Sequence, residues 1–188
     1  GFQAMKIRFP LVSLFVALAL AGCGQKDSAP AAGGASTASS PAAGPREIDL
    51  TANDQMKYTM GDQQSGPTGP GLQIEAKAGE QLKVVLTNNG TLPVEAMGHN
   101  WVLLKAGSDA AAFSAAAAAA KETDYVPAAL KGEIYTDPDG NLAHIGTLGP
   151  RKSGEATFKA PAQPGEYPFL CSFPAHYAVG MKGTLVVK

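Results

Sequence analysis

The strongest constraint on how this chain folds lies near its end, in the run Phe169-Leu170-Cys171-Ser172-Phe173-Pro174-Ala175-His176-Tyr177-Ala178-Val179-Gly180-Met181-Lys182-Gly183. A thiol (Cys171), an imidazole (His176) and a thioether (Met181) follow one another with four residues between each pair. A strand with that spacing would send the three side chains to mixed faces, because successive residues alternate. A helix is barred by Pro174, which lacks a backbone N–H and clashes with the preceding turn. What remains is a loop, bent at Pro174 and Gly180, that can fold its donor side chains inward. Upstream of it, Tyr167, Phe169 and Cys171 repeat with period two, so Cys171 closes a strand. A second imidazole, His99, stands far upstream in Met97-Gly98-His99-Asn100-Trp101.

From Arg46 onward, short segments of strand character recur at 48–50, 72–76, 82–86, 100–104, 132–135, 144–148, 154–159, 166–171 and 181–187. Turn residues separate them, among them Asn88-Asn89-Gly90, Asp137-Pro138-Asp139-Gly140 and Gln163-Pro164-Gly165. Many short strands at this spacing predict an all-β domain, an antiparallel sandwich or barrel. Residues 108–121 are the one helical exception. Ser108 or Asp109 can cap that helix and its alanines favour it strongly. Its faces are too bland to build a core, so it is expected outside the sandwich, fastened by Phe113.

The part before Arg46 reads differently. Gly1 to Ala4 precede the first methionine, Met5, and are set aside as extraneous. Lys6 and Arg8 then lead into an apolar run ending at Ala21, the pattern of a signal peptide too short to remain as a membrane-spanning helix. The run closes in Leu20-Ala21-Gly22-Cys23, which resembles a bacterial lipobox, where cleavage precedes the cysteine and the new N-terminus is lipidated. More than one acyl chain on Cys23 would anchor the protein stably, since a single chain is marginal. Gly24 stands where enteric bacteria place an aspartate to retain lipoproteins at the inner membrane, so that signal is absent. Residues 24–45 are almost entirely Ala, Gly, Ser, Thr and Pro, without periodicity or large apolar side chains, and read as a flexible linker. A linker of about 22 such residues has an r.m.s. reach of about 25 Å. The expected organisation is therefore a signal peptide over 1–23, a linker over 24–45 and one folded domain over 46–188. Its place is the bacterial cell envelope, on the periplasmic or extracellular face.

Two histidines, one cysteine and a methionine as weak axial ligand form the donor set of a blue-copper electron-transfer centre. A lone cysteine in the folded part of an exported chain calls for a role, because free thiols oxidise there. Binding copper as thiolate gives Cys171 that role. Gly98 lets its carbonyl approach a neighbour closely, and Asn100 offers side-chain hydrogen bonds between its strand and the ligand loop. His144 has no companion donor in the sequence and reads as a surface or structural histidine.

Met97-Gly98-His99-Asn100-Trp101-Val102-Leu103, with Cys171-Ser172-Phe173-Pro174-Ala175-His176 and Met181-Lys182-Gly183-Thr184-Leu185, resembles the azurins and auracyanins of the cupredoxin family. The resemblance extends over 46–188 and implies an eight-stranded Greek-key β-sandwich that binds one copper. It implies His99, Cys171 and His176 as equatorial ligands, Met181 as the long axial ligand and the Gly98 carbonyl as a distant fifth group. Asn100 and the Phe173 amide would be hydrogen-bonding neighbours, the latter tuning the sulfur. The chain departs from azurins in three ways. Four residues, not three, separate His176 from Met181; the azurin disulfide has no counterpart, since Cys171 is alone in the folded part; and Asn88 stands where azurins often carry a non-ligand histidine, so a pH-linked potential is not implied.

Composition limits the partners. The net charge is −1, and loss of Lys6 and Arg8 with the leader would leave the 16 acidic residues in slight excess. No basic stripe is present to neutralise phosphates, which argues against nucleic acid. The expected partners are redox proteins such as cytochromes or copper enzymes, met by a monomer. The docking patch would comprise Met97, Phe173, Pro174, Ala175, Ala178 and Val179 around a His176 ring edge at the surface. The competing reading is a copper carrier or buffer that delivers metal to another envelope protein with the same ligands. An enzyme is not expected, because three histidines in all cannot supply a further catalytic copper site.

Overall fold

Alternating burial builds the two inner faces of a β-sandwich. The computed structural model describes residues 44–68 and 71–188. The leader with Cys23, and the linker apart from Gly44 and Pro45, lie outside the described residues. The strands are β1 (Arg46–Asn53), β2 (Lys57–Met60), β3 (Gln63–Gln64), β4 (Leu72–Ala76), β5 (Gln81–Asn88), β6 (His99–Leu103), β7 (His144–Leu148), β8 (Ser153–Lys159), β9 (Gly165–Leu170) and β10 (Lys182–Val187). One sheet runs β3-β2-β1-β5-β8 and the other β4-β10-β9-β6-β7. In β4 and β5, Leu72, Ile74, Leu82, Val84 and Leu86 are buried while their neighbours face outward. Each such aliphatic side chain contributes about 1.5–3 kcal/mol on full burial.

The fold class expected from the sequence holds, with differences of detail. The sheets are not wholly antiparallel: β1 runs parallel to β5, and β10 parallel to β4. The β2–β3 hairpin gives no apolar alternation and is not among the expected strands. Residues 132–135, expected as a strand, are instead the end of a 3-10 turn, Ala128–Glu133, followed by one bridge between Ile134 and Leu104. The helix is shorter than expected: α2 spans Ala110–Ala117 and follows a four-residue helix α1, Val94–Met97. Asp109 caps α2, its carboxylate accepting the N–H groups of Ala111 and Ala112. Phe113 anchors it as expected, in a cluster with Val102, Leu104, Val126, Ile134 and Leu170.

That second cluster decides the character of β6. Trp101 and Leu103 face the inter-sheet core, Val102 and Leu104 face the cover formed by α2 and the turns after it, and every residue of the strand is buried. β6 therefore holds its side chains rigidly on both faces. The loop from β5 to α1, the start of β6, the end of β9 and the start of β10 share one pole. The chain enters at the other, where Arg46 donates to the Glu80 carboxylate at 2.6 Å and to the Glu75 carbonyl.

Candidate metal centre

His99 opens β6, directly after α1 and Gly98. A side chain at Gly98 would lie 2.5 Å from a Thr147 methyl and 2.8 Å from the Val94 carbonyl, so the close packing of this corner admits glycine alone. Pairing of β6 with β7 shifts register between His99 and Trp101. Such bulges re-aim side chains beside functional sites. Cys171 follows β9 and Met181 precedes β10, and the loop between them is closed at its base. The Cys171 N–H donates to the Met181 carbonyl at 3.1 Å and the Met181 N–H to the His176 carbonyl at 3.0 Å.

This brings together residues 72 apart in sequence. His99 and Cys171 are 0% exposed, His176 is 1% exposed and Met181 is 0% exposed. The donor atoms of His99, Cys171 and His176 all lie within 4.8 Å of one another. Cys171 Sγ is 3.4 Å from His176 Nδ1, and the two imidazole centroids are 4.9 Å apart. Met181 sits in the same core cluster as Cys171. Neither nitrogen of His99 completes a hydrogen bond.

Buried groups without partners are costly, and their protonation follows. Burial drives the His99 pKa down to about 4, against weaker opposing effects of the Asn53 carbonyl and the Asp54 carboxylate. Burial, then the neighbouring His99, drives His176 down to about 3. Burial pushes the Cys171 thiol up to about 12, while the Asn100 and Phe173 amides and the Tyr58 hydroxyl pull the other way. Two neutral imidazoles therefore stand beside a protonated thiol, whose proton a bound cation would have to displace. These donors fit copper: a soft sulfur and two imidazoles, with a thioether at the same loop base. His99, Cys171, His176 and Met181 are the residues that would hold it.

Asn100 performs the tie expected of it. Its Oδ1 accepts the Ser172 N–H at 2.8 Å, and its Nδ2 donates to Ser172 Oγ at 2.8 Å. One residue that sequence reasoning missed belongs to this shell. Tyr58 on β2 is fully buried, donates its hydroxyl to the Asn100 carbonyl and lies beside Cys171. The only sequence signal for it is an aromatic residue in a short, polar strand. His144 is outside the donor cluster, half-buried, with its Nε2 4.0 Å from an Asp124 carboxylate oxygen. Asn88 is buried and tied to the Leu148 carbonyl and the Gly90 N–H.

One expectation needs correction. The His176 ring does not present an open edge at the surface: the residue is only 1% exposed, and Phe173 packs against the ring at 4.8 Å between centroids. Of the expected patch, Ala175, Ala178 and Val179 are exposed, Met97 and Pro174 are half-buried, and Phe173 is buried. Leu92, just before α1, was not foreseen. Leu92 and Val179 are the large apolar side chains most exposed among the described residues, at 42% and 39%, and both flank ligand-bearing segments.

Comparison with known proteins agrees with this chemistry. Residues 71–188 match the family described as copper binding proteins, plastocyanin/azurin family. Auracyanin-B of Chloroflexus aurantiacus is 37% identical over 115 residues, 61% of this chain; the match spans only 44% of that longer protein. Azurin of Pseudomonas aeruginosa is 31% identical over 143 residues, covering 75% of this chain and 84% of the azurin. The crystal structure of dithionite-reduced auracyanin from Roseiflexus castenholzii superposes with a TM-score of 0.58 at 31% identity, covering 78% of this chain and 99% of that one. A buried Cys-His-His-Met loop site on a two-sheet sandwich, matched over most of the folded part, places this chain in the plastocyanin/azurin family of copper-binding proteins.

Proposed function

We propose that the protein is a single-electron carrier of the cell envelope rather than an enzyme. The observation that carries this reading is the burial of three mutually close donors, His99 with both ring nitrogens unpartnered, in a frame of paired strands. When bound, copper supplies one-electron chemistry by alternating between Cu(I) and Cu(II). The protein's part is to hold the donors still. β6 is locked on both faces, and the ligand loop is pinned at its base by two backbone hydrogen bonds, so little rearrangement accompanies the change of charge. The Gly98 carbonyl is proposed as a distant fifth donor.

Electrons would pass through His176, beneath the apolar cap of Ala175, Ala178 and Val179, with Leu92, Met97 and Pro174 at its margin. A small apolar face suits brief contacts with cytochromes or copper enzymes, because weak interfaces release quickly. A lipidated Cys23 would tether the domain. The carrier-of-copper alternative requires easy release, which full burial of all four donors disfavours.

On adding Cu(II) to the purified chain, an intense blue absorption is expected that ascorbate bleaches and Cys171→Ser abolishes. A folded protein without that absorption overturns the reading. Val179→Glu should slow electron exchange with the physiological partner several-fold while leaving the absorption intact, since a charge in the contact face must be desolvated. An unchanged rate would remove the apolar face from the docking surface. Cys23→Ser should move the protein from membrane to soluble fractions.

A further inference from the structure

Two consecutive residues outside the donor set, Asp124 and Tyr125, both take φ of 58°. Residues with a Cβ avoid this left-handed region, because the Cβ crowds the following carbonyl. Two in succession persist only where surrounding contacts over-determine them. Here the contacts converge on the metal centre. The Asp124 carboxylate accepts the Thr147 N–H of β7 through both oxygens, at 3.0 and 2.9 Å. A Cβ at Gly146 would lie 2.8 Å from that carboxylate, so glycine is what admits it. The Asp124 carbonyl accepts Asn100 Nδ2 at 3.3 Å, and the Tyr125 carbonyl accepts Ser172 Oγ at 2.7 Å. The Tyr125 ring packs on Phe173 with centroids 4.7 Å apart.

Asn100 directly follows His99, and Ser172 directly follows Cys171. The pair of carbonyls thus grips the residue after each of two donors, while the carboxylate fixes the pair to β7. We propose that Asp124 and Tyr125 are positioning residues. They form a clamp that sets the separation of the His99 strand from the Cys171 loop and thereby governs access to, and geometry at, the sulfur. Only the spectroscopic arm of the test rests on the copper reading above.

Three variants of the full chain separate the clamp from general stability. Asp124→Ala removes the carboxylate and keeps the strained backbone; Asp124→Gly removes it and relieves the strain, so the protein stays folded. Asp124→Asn retains an acceptor oxygen and tolerance of left-handed φ. Ala117→Gly on α2 is the control for plain destabilisation. In metal-free protein, alkylation of Cys171 by iodoacetamide should speed up on the order of tenfold in the Ala and Gly variants, through local opening, and stay near wild type in the Asn variant and the control. After Cu(II) loading, the Ala and Gly variants should shift the thiolate absorption and the reduction potential, with the Asn variant restoring both. Alkylation rates that follow thermal stability across all four variants overturn the proposal. If wild type gave no blue absorption, the copper reading would fail while the alkylation rates still decided the clamp.

Discussion

Ala175 carries a cost that its position in the ligand loop makes visible. It is exposed and holds φ of 70°, the left-handed region, between Pro174 and His176. Relief of about 1–2 kcal/mol on introducing glycine exceeds the about 0.5–1 kcal/mol of added chain entropy. Ala175→Gly should therefore stabilise the metal-free protein by about 0.5–1 kcal/mol, read as a higher unfolding temperature. A fall would mean that the methyl group contributes packing that outweighs the strain. The donors themselves were legible at this scale, because Cys171, His176 and Met181 are chemically distinctive and share one loop, and His99 sits in a short motif of its own. Tyr58 and Asp124 were not. Tyr58 serves a carbonyl 42 residues away, and Asp124 an amide 23 residues away; neither contact leaves a local pattern. The concealed His176 ring was likewise set by Phe173 folding back over it, which loop residues alone do not specify.

At the scale of elements, strands with alternating apolar residues were legible, and those whose reason is tertiary were not. β2 and β3 are polar and exist because they extend the sheet beyond β1. Residues 132–135 have β-like composition, yet the chain there belongs to a cover of turns lying on β6. Asp137 organises the far end of that cover. Its buried carboxylate accepts the N–H groups of Asp139 and Asn141 at 2.9 and 2.8 Å, the Asn141 amide at 3.0 Å and the Lys159 N–H at 2.9 Å. Burial raises its pKa, but these hydrogen bonds together hold it below the usual value. Asp137→Ala orphans several donors at once, and losses of about 1–3 kcal/mol per buried unsatisfied group make a total of about 2–4 kcal/mol reasonable for partly hydrated ones. Lys159 ends β8 opposite Gln81, at the pole where the chain enters. The blue absorption of the copper-loaded variant should therefore be unchanged while its unfolding midpoint in urea falls. Loss of both together would show that the two poles are coupled.

Across the described residues, the metal-free protein carries His99, His176 and Cys171 buried and His144 half-buried in uncharged form, and this shapes how its stability follows pH. His99 and His176 titrate near 4 and 3 when folded, and burial lowers His144 as well, with Asp124 opposing and Lys131 assisting. An unfolded histidine titrates near 6.5, so the unfolded state binds more protons below that pH. The stability from keeping these rings neutral is complete above about 6.5 and is lost as pH falls toward about 4 and then 3. Cys171 acts on the other side. Its folded value of about 12 exceeds the unfolded one, so its contribution is complete below about 9 and is lost as pH rises. The metal-free protein should thus be most stable between about pH 6.5 and 9 and weaken on both sides. Because Cys171 would hold copper as thiolate and His99 and His176 as neutral imidazoles, loading would release protons and acid would oppose it. The added thermal stability from a fixed excess of copper should accordingly grow as pH rises from about 5 to 8. Unfolding temperatures of loaded and metal-free protein, measured in parallel across that range, check the argument. An increment independent of pH would mean that the thiol is already ionised in the metal-free fold, against the burial of its sulfur.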